Sequence, residues 1–486
     1  MSSFPESLTE SAAIRQARLE KEHGWAKSGP QPGYYKLPKK EIFSYSIVDF
    51  AMNMVFQCIM MFVTFFYTDI FGLRPMDVAL MFLVSRLWDA VNDPLMGTIV
   101  ERLNPPGSKY RFYILTGAIP FGIAAVLTYT TPNFSYTGKL IWAYATYNAL
   151  NMMYTYIIQP YISLASIMTN DPKERTLLQS VRMMFAQSGG VVVALAIPLV
   201  SNQFLKYTGD IATGYMLTTL CMSVIMVALL IYSYFHVVER IPVTSHHEKA
   251  GLRDVWIQIT HNKPGVIMFL LFLGVYGFIT INGTSAPYYM TYYAKRGDMV
   301  AWFAMMNVLP SVIGVPLVPW LCGKIHKKNT VLLGLGLGAL GSLLLYFASP
   351  ESIAYMLFSR GVASFGYGIL MGILWSIITD PVEYADLNTG RRLTAIVMTL
   401  IGLGIKFSMT LGGVIPTWIL DYVRYVPNDP NQTELSLAGI RFMASLLPFV
   451  VMLVTFVIFA IFYDLTEEKV AEIQHKIAVR NGMIEE

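Results

Sequence analysis

Long apolar runs recur along this chain from about Phe43 to Tyr463, each near or above the ~20 residues a helix needs to cross a hydrocarbon core. No other feature restricts the fold as much. A peptide inside hydrocarbon must satisfy its own backbone hydrogen bonds, and a helix does so within one segment. The runs predict an all-α, polytopic membrane protein with about twelve transmembrane helices, at 42–70, 76–101, 111–131, 139–168, 177–205, 213–237, 264–290, 299–323, 329–348, 352–379, 393–423 and 437–463. With 55% apolar and 14% charged residues among 486, the chain is too greasy for an ordinary soluble domain.

The basic residues orient these spans. Arg102, Lys109 and Arg111 follow the second and Lys324, Lys327 and Lys328 the eighth, whereas turns after odd-numbered spans hold few cations, such as Arg74, Lys139 and Lys206. The positive-inside rule then predicts a cell-membrane protein with both termini cytoplasmic. The net charge of +4 is read as this orientation signal and not as nucleic-acid binding, so the lipid bilayer is the expected surface partner. The longest internal polar connection splits the spans six and six. The expected organisation is a flexible cytoplasmic tail at 1–41, an N-terminal six-helix bundle at 42–237, a cytoplasmic linker at 238–263, a C-terminal six-helix bundle at 264–463 and a cytoplasmic tail at 464–486. Glu6 to Gly24 predicts a short surface helix, and so do Val470, Ile473 and Ile477 at helical spacing. His246, His247 and Glu248 lie in the linker, where adjacent side chains diverge, and are read as solvated rather than as metal ligands.

Function is signalled by charges inside the apolar runs. Asp89 and Asp93 lie in Arg86-Leu-Trp-Asp-Ala-Val-Asn-Asp-Pro94, within an otherwise apolar stretch from Val78 to Val100. A charge at membrane depth costs roughly 3 kcal/mol or more, so such acids normally face a bundle interior, a water-filled path or an ion. Four residues apart, the two share one helix face. Like charges that close repel unless a cation or a proton sits between them, which makes the pair a candidate coupling-ion site. The competing reading is a salt bridge to Arg86 or Lys406 that locks helices together.

Around these acids stand Phe66-Tyr-Thr-Asp-Ile-Phe-Gly72, Gly97, Ser108-Lys-Tyr-Arg111, Asp171-Pro-Lys-Glu-Arg175, Glu383-Tyr-Ala-Asp-Leu-Asn-Thr-Gly390, Lys406 and Tyr463-Asp-Leu-Thr-Glu-Glu468. With them the chain resembles, over nearly its whole length, the glycoside-pentoside-hexuronide:cation symporters of the major facilitator superfamily, which include melibiose and isoprimeverose carriers. The resemblance implies secondary active, cation-coupled symport of a sugar or glycoside by alternating access, with no catalytic residue and no cofactor. It also implies that Asp89, Asn92, Asp93 and Thr155 coordinate the cation. Carboxylate, amide and hydroxyl oxygens suit sodium or lithium, and a proton is the other candidate if a carboxylate pKa is raised.

The same resemblance places Asp49 and Arg182 at the sugar, where a carboxylate accepts from adjacent hydroxyls and a guanidinium donates to them. The alternative is a structural Asp–Arg pair. Lys406 and Arg86 are candidates for coupling, by neutralising the acidic site when the cation is absent, and snorkelling to an interface is the alternative for Lys406. Trp375, with Asn282, Tyr288, Tyr289 and Asn307, offers stacking or hydrogen bonds from the second half. Melibiose-type carriers have an acid two residues before a fourth-helix proline and an aromatic two after it. This chain reads Ile158-Gln-Pro-Tyr-Ile162 and lacks both, leaving Gln159 and Tyr161 as the nearest substitutes on adjacent faces.

That departure keeps open a sodium-coupled carrier of amphiphilic lipids. A non-transporting membrane sensor is the other class. An enzyme is not expected, because no nucleophile–base arrangement or nucleotide loop is evident. Gly334-Leu-Gly-Leu-Gly338 lies in an apolar span, where small residues permit close helix packing.

Overall fold

The computed structural model describes residues 26–28, 33–103, 105, 108–169, 171–241, 262–389 and 394–480. The surface helix expected at Glu6 to Gly24 and the linker residues His246 to Glu248 lie outside the described residues. Among the described residues sixteen α-helices longer than three residues follow in chain order. They are α1 Lys39–Met61, α2 Pro75–Arg102, α3 Arg111–Thr128, α4 Tyr136–Met168, α5 Pro172–Thr208, α6 Ile211–His236, α7 Lys263–Tyr288 and α8 Val300–Met306. The rest are α9 Leu309–Gly314, α10 Val318–Tyr346, α11 Ile353–Ile377, α12 Thr379–Thr389, α13 Thr394–Tyr422, α14 Glu434–Ala444, α15 Leu446–Phe462 and α16 Glu467–Arg480. No strand occurs among the described residues.

Nine helical stretches among the described residues are long and apolar enough to cross a membrane, and one of them, Gly297–Tyr346, spans two of the expected runs. Its kink falls at His326, whose φ of 67° lies in the left-handed region. Neither α2 nor α4 is among the nine. These are the two helices that carry Asp89, Asn92, Asp93, Thr155 and Gln159, which are among the polar residues that lower their hydropathy.

By packing, the chain divides into two compact units. The first comprises Met1–Gln57, Leu87–Val193 and Val200–Glu248, and the second Cys58–Arg86, Ala194–Leu199 and Lys249–Glu486. Helices α1, α2 and α5 each contribute to both.

In the first unit the end of the expected flexible tail is docked. Tyr35 and Leu37 are buried, Thr169 accepts from the Tyr35 N–H at 3.1 Å, and Glu174 accepts from the Leu37 N–H at 3.0 Å. Buried Glu41 takes both terminal nitrogens of Arg240, at 2.7 and 2.6 Å. Arg111 donates to the Val237 carbonyl at 2.6 Å, and Glu239 accepts the N–H groups of Lys109, Tyr110 and Arg111 where α3 begins. An anion there meets the positive end of the helix dipole.

The second unit is built on a core that includes Met268, Phe272, Leu335, Leu370, Ile373 and Met452. Val470 and Ile473 of α16 join it, as their spacing predicts. A Cβ on Gly366 would lie 2.6 Å from both the Gly334 carbonyl oxygen and the Gly338 nitrogen, so the glycines of that run do serve close packing of α10 on α11.

Candidate functional site

On α2, Asp89 and Asn92 are each 5% exposed, and Asp93 is half-buried on the same face. From α4 the Thr155 hydroxyl donates to Asp93 Oδ1 at 3.2 Å, and one turn later Gln159 Nε2 donates to the Asp93 carbonyl at 3.2 Å. The 155/159 spacing is what lets one helix grip both the side chain and the backbone of a single residue on its neighbour. Nδ2 of Asn92 has no hydrogen-bond partner among the described residues, so its amide is not pinned through the nitrogen and can present its oxygen. The structure thus joins Thr155 to Asp93 across two helices, with Asp89 and Asn92 on the same helix as Asp93. Gln159, expected at the substrate, is bound to the backbone of that cluster.

The donors are hard: two carboxylates, an amide and a hydroxyl. Among the described residues no group of three or more His, Cys, Asp or Glu is placed to hold a metal ion. Oxygens of this kind suit a hard cation.

Asp49, on α1, and Arg182, on α5, form a buried ion pair, with Arg182 Nε 2.7 Å from Asp49 Oδ2. Asn53 Nδ2 donates to Asp49 Oδ1 at 3.0 Å, and Arg182 Nη1 donates to Gln179 Oε1 at 2.9 Å. Beneath them the guanidinium lies 5.7 Å from the Tyr161 ring, which stacks on Tyr45 at 4.6 Å. Each of these tyrosines donates its hydroxyl to the other's backbone carbonyl, at 3.3 and 3.0 Å. Tyr161 is therefore fully buried scaffold for Arg182. Asn53 and Gln179 carry no signal of their own in the sequence beyond lying one turn from Asp49 and Arg182.

Arg86, Trp375 and Lys406 belong to the second unit. Trp375 is exposed and meets Phe272 edge-on at 5.7 Å, and Lys406 is half-buried on α13. This unit also holds a polar node around an acid inside the apolar run 42–70. Asp69, in the π-helical turn Phe66–Ile70 beyond α1, is 3% exposed and accepts from Thr68 at 2.6 Å, from Tyr425 at 2.5 Å and from Tyr292.

Residues 44–467 match the family described as MFS/sugar transport protein. An uncharacterized symporter of Bacillus subtilis, YnaJ, is 37% identical over 434 residues, which cover 89% of this chain and 93% of that protein. The isoprimeverose transporter of Lactiplantibacillus pentosus is 29% identical over 401 residues, covering 82% and 83% respectively. Among solved structures, a proton-dependent oligopeptide transporter matches with a TM-score of 0.65 at 12% identity, covering 90% of this chain and 99% of that one. At that identity the likeness is one of fold.

Proposed function

This chain belongs to the MFS/sugar transport protein family, within the glycoside-pentoside-hexuronide:cation symporters of the major facilitator superfamily, and on that premise we propose that it carries a sugar or glycoside into the cell together with sodium. It is a multi-pass membrane transporter and not an enzyme. The observation that carries the coupling reading is the Thr155 hydroxyl, held at 3.2 Å on the Asp93 carboxylate in a cluster with buried Asp89 and Asn92. A cation entering there relieves the repulsion of the two carboxylates and takes oxygens in place of its water shell.

Cargo hydroxyls are assigned to Asp49 and Arg182, whose pair is pre-oriented by Asn53 and Gln179. Gln159 ties α4 to the ion helix α2. Lys406 and Arg86 are assigned to coupling. Both termini are assigned to the cytoplasm, from the basic turns. Coupling is reciprocal: if sodium tightens sugar binding, sugar tightens sodium binding by the same factor.

Uptake into vesicles of a panel of glycosides, with and without a sodium gradient at fixed pH, tests the reading. Sodium-dependent accumulation of a glycoside is expected, and Asp93→Asn is expected to abolish accumulation against a gradient. Accumulation driven equally well by a proton gradient without sodium would replace the ion. Wild-type accumulation by Asp93→Asn would remove the site.

A further inference from the structure

Arg360 lies about two turns into α11, in the apolar run Ile353–Ile377, and is 1% exposed. Its Nη1 donates to Asn282 Oδ1 on α7, and its Nη2 stands 3.5 Å from the Ala444 carbonyl. The guanidinium lies 4.6 Å from the ring centre of Phe303, and that ring stacks on Tyr289 at 5.6 Å. No carboxylate pairs with Arg360 among the described residues. An unpaired charge taken out of water costs several kcal/mol, so a buried guanidinium without an anion is an unfinished arrangement.

The groups around it are unfinished in the same sense. Arg360 Nε, Asn282 Nδ2, Asn307 Nδ2 and the Tyr289 hydroxyl are all buried without a hydrogen-bond partner among the described residues. The four residues are 0–2% exposed. Asn307 belongs to this cluster by position. It lies one turn beyond Phe303, and its carbonyl accepts at 2.8 Å from Ser364, one turn beyond Arg360. The three nitrogens can only donate, and the hydroxyl can also donate. Such a set wants an acceptor, and the fixed positive charge selects a negative one.

We propose that Arg360, Asn282, Asn307 and Tyr289 bind one small monovalent anion, either a free halide or a single carboxylate group. The site lies wholly within the second unit and does not depend on the cation reading of Asp89 and Asp93. A free halide would act as a structural counter-ion. A carboxylate would come from an acidic cargo.

Thermal unfolding of the full-length protein in detergent, at fixed sodium and ionic strength with methanesulfonate as the balancing anion, tests this. Chloride or glucuronate should raise Tm progressively with its logarithm above the dissociation constant. A chloride response assigns the free ion, and a response to glucuronate alone assigns the cargo. Arg360→Met should fold and lose the anion response, because it removes the buried charge while keeping the volume. If that variant does not fold, Asn307→Leu should weaken the apparent anion affinity at least tenfold. A wild-type Tm indifferent to both anions overturns the proposal, and so does an equal response in Arg360→Met or, where only that variant folds, in Asn307→Leu. Sodium-driven uptake is not the readout, so failure of the symport reading leaves this result interpretable.

Discussion

Gln159 donates from Nε2 to the main-chain carbonyl of Asp93 at 3.2 Å, one turn along α4 from the Thr155 hydroxyl that holds the Asp93 carboxylate. The backbone and the side chain of one acid are therefore fixed by a single neighbouring helix. Groups that orient a ligand without touching the ion typically change ion affinity about 10–100-fold when lost. Gln159→Leu is expected to raise the half-saturating concentration of the coupling cation about tenfold while leaving folding intact. Initial uptake rates against cation concentration give the answer, and an unchanged half-saturation would confine Gln159 to packing.

Tyr425 supplies a second such contact. Its hydroxyl donates to the Asp69 carboxylate at 2.5 Å, while Asn428 donates from its side chain to the Asp69 carbonyl and from its backbone N–H to the Tyr292 hydroxyl oxygen at 3.2 Å. Three stretches distant in sequence meet on one buried acid. A hydrogen bond to a charged group contributes roughly 1.5–3 kcal/mol, so Tyr425→Phe should lower stability by about 2 kcal/mol in thermal or denaturant unfolding. Asp69→Asn with Tyr425→Phe should cost less than the sum of the two single changes, because both act on one contact. Additive losses would mean the two residues act separately.

What could be read from the sequence, and what could not, divides along physical lines. Burying backbone in hydrocarbon demands helices of a set length, so the apolar runs placed α2 to α7 to within a few residues, while the run expected at 42–70 holds α1, which ends at Met61, and the π-helical turn Phe66–Ile70. The same physics made Asp89 and Asp93 conspicuous, and Arg360 meets the same criterion. The π-helical turns Phe66–Ile70 and Tyr289–Tyr293 carry no composition signal, because they are set by what packs there: Asp69 in one and Tyr292 in the other. The run expected at 437–463 breaks at Ser445, whose φ of −129° and ψ of −68° separate α14 from α15, three residues before Pro448, which has no N–H to give the Ala444 carbonyl. Tyr161 reads as a cargo residue by its place after Pro160. Only the rotation of α4 turns its ring under Arg182.

The Glu41–Arg240 pair joins the start of α1 to the segment after α6 through two charge-assisted hydrogen bonds, with both side chains about 5% exposed or less. Removing one partner strands the other charge, which costs roughly 3–5 kcal/mol for a buried pair. Glu41→Ala should therefore lower the unfolding midpoint sharply. The double replacement Glu41→Leu with Arg240→Met should recover most of the loss, since neither charge is then stranded. A double variant no more stable than Glu41→Ala would show that the Val238 N–H, which Glu41 also accepts at 3.1 Å, matters more than the charge.

Asp210 caps α6, accepting from the Thr213 hydroxyl at 2.7 Å, the Thr213 N–H at 2.9 Å and the Ala212 N–H at 3.2 Å. The Thr213 hydroxyl, then its N–H, hold the carboxyl below its ordinary range. A carboxyl depressed in the folded state contributes stability that is fully present above its unfolded pKa, near 4, and is lost as pH falls through the lower folded value. Replacing an N-cap Asp by Ala costs about 1 kcal/mol. Asp210→Ala should therefore unfold at a lower temperature than wild type at pH 7, and the gap should narrow as pH falls below 4. Thermal unfolding of both proteins across that range is the measurement. A gap that stays constant into acid would mean that the cap acts through the geometry of the turn and not through the charge.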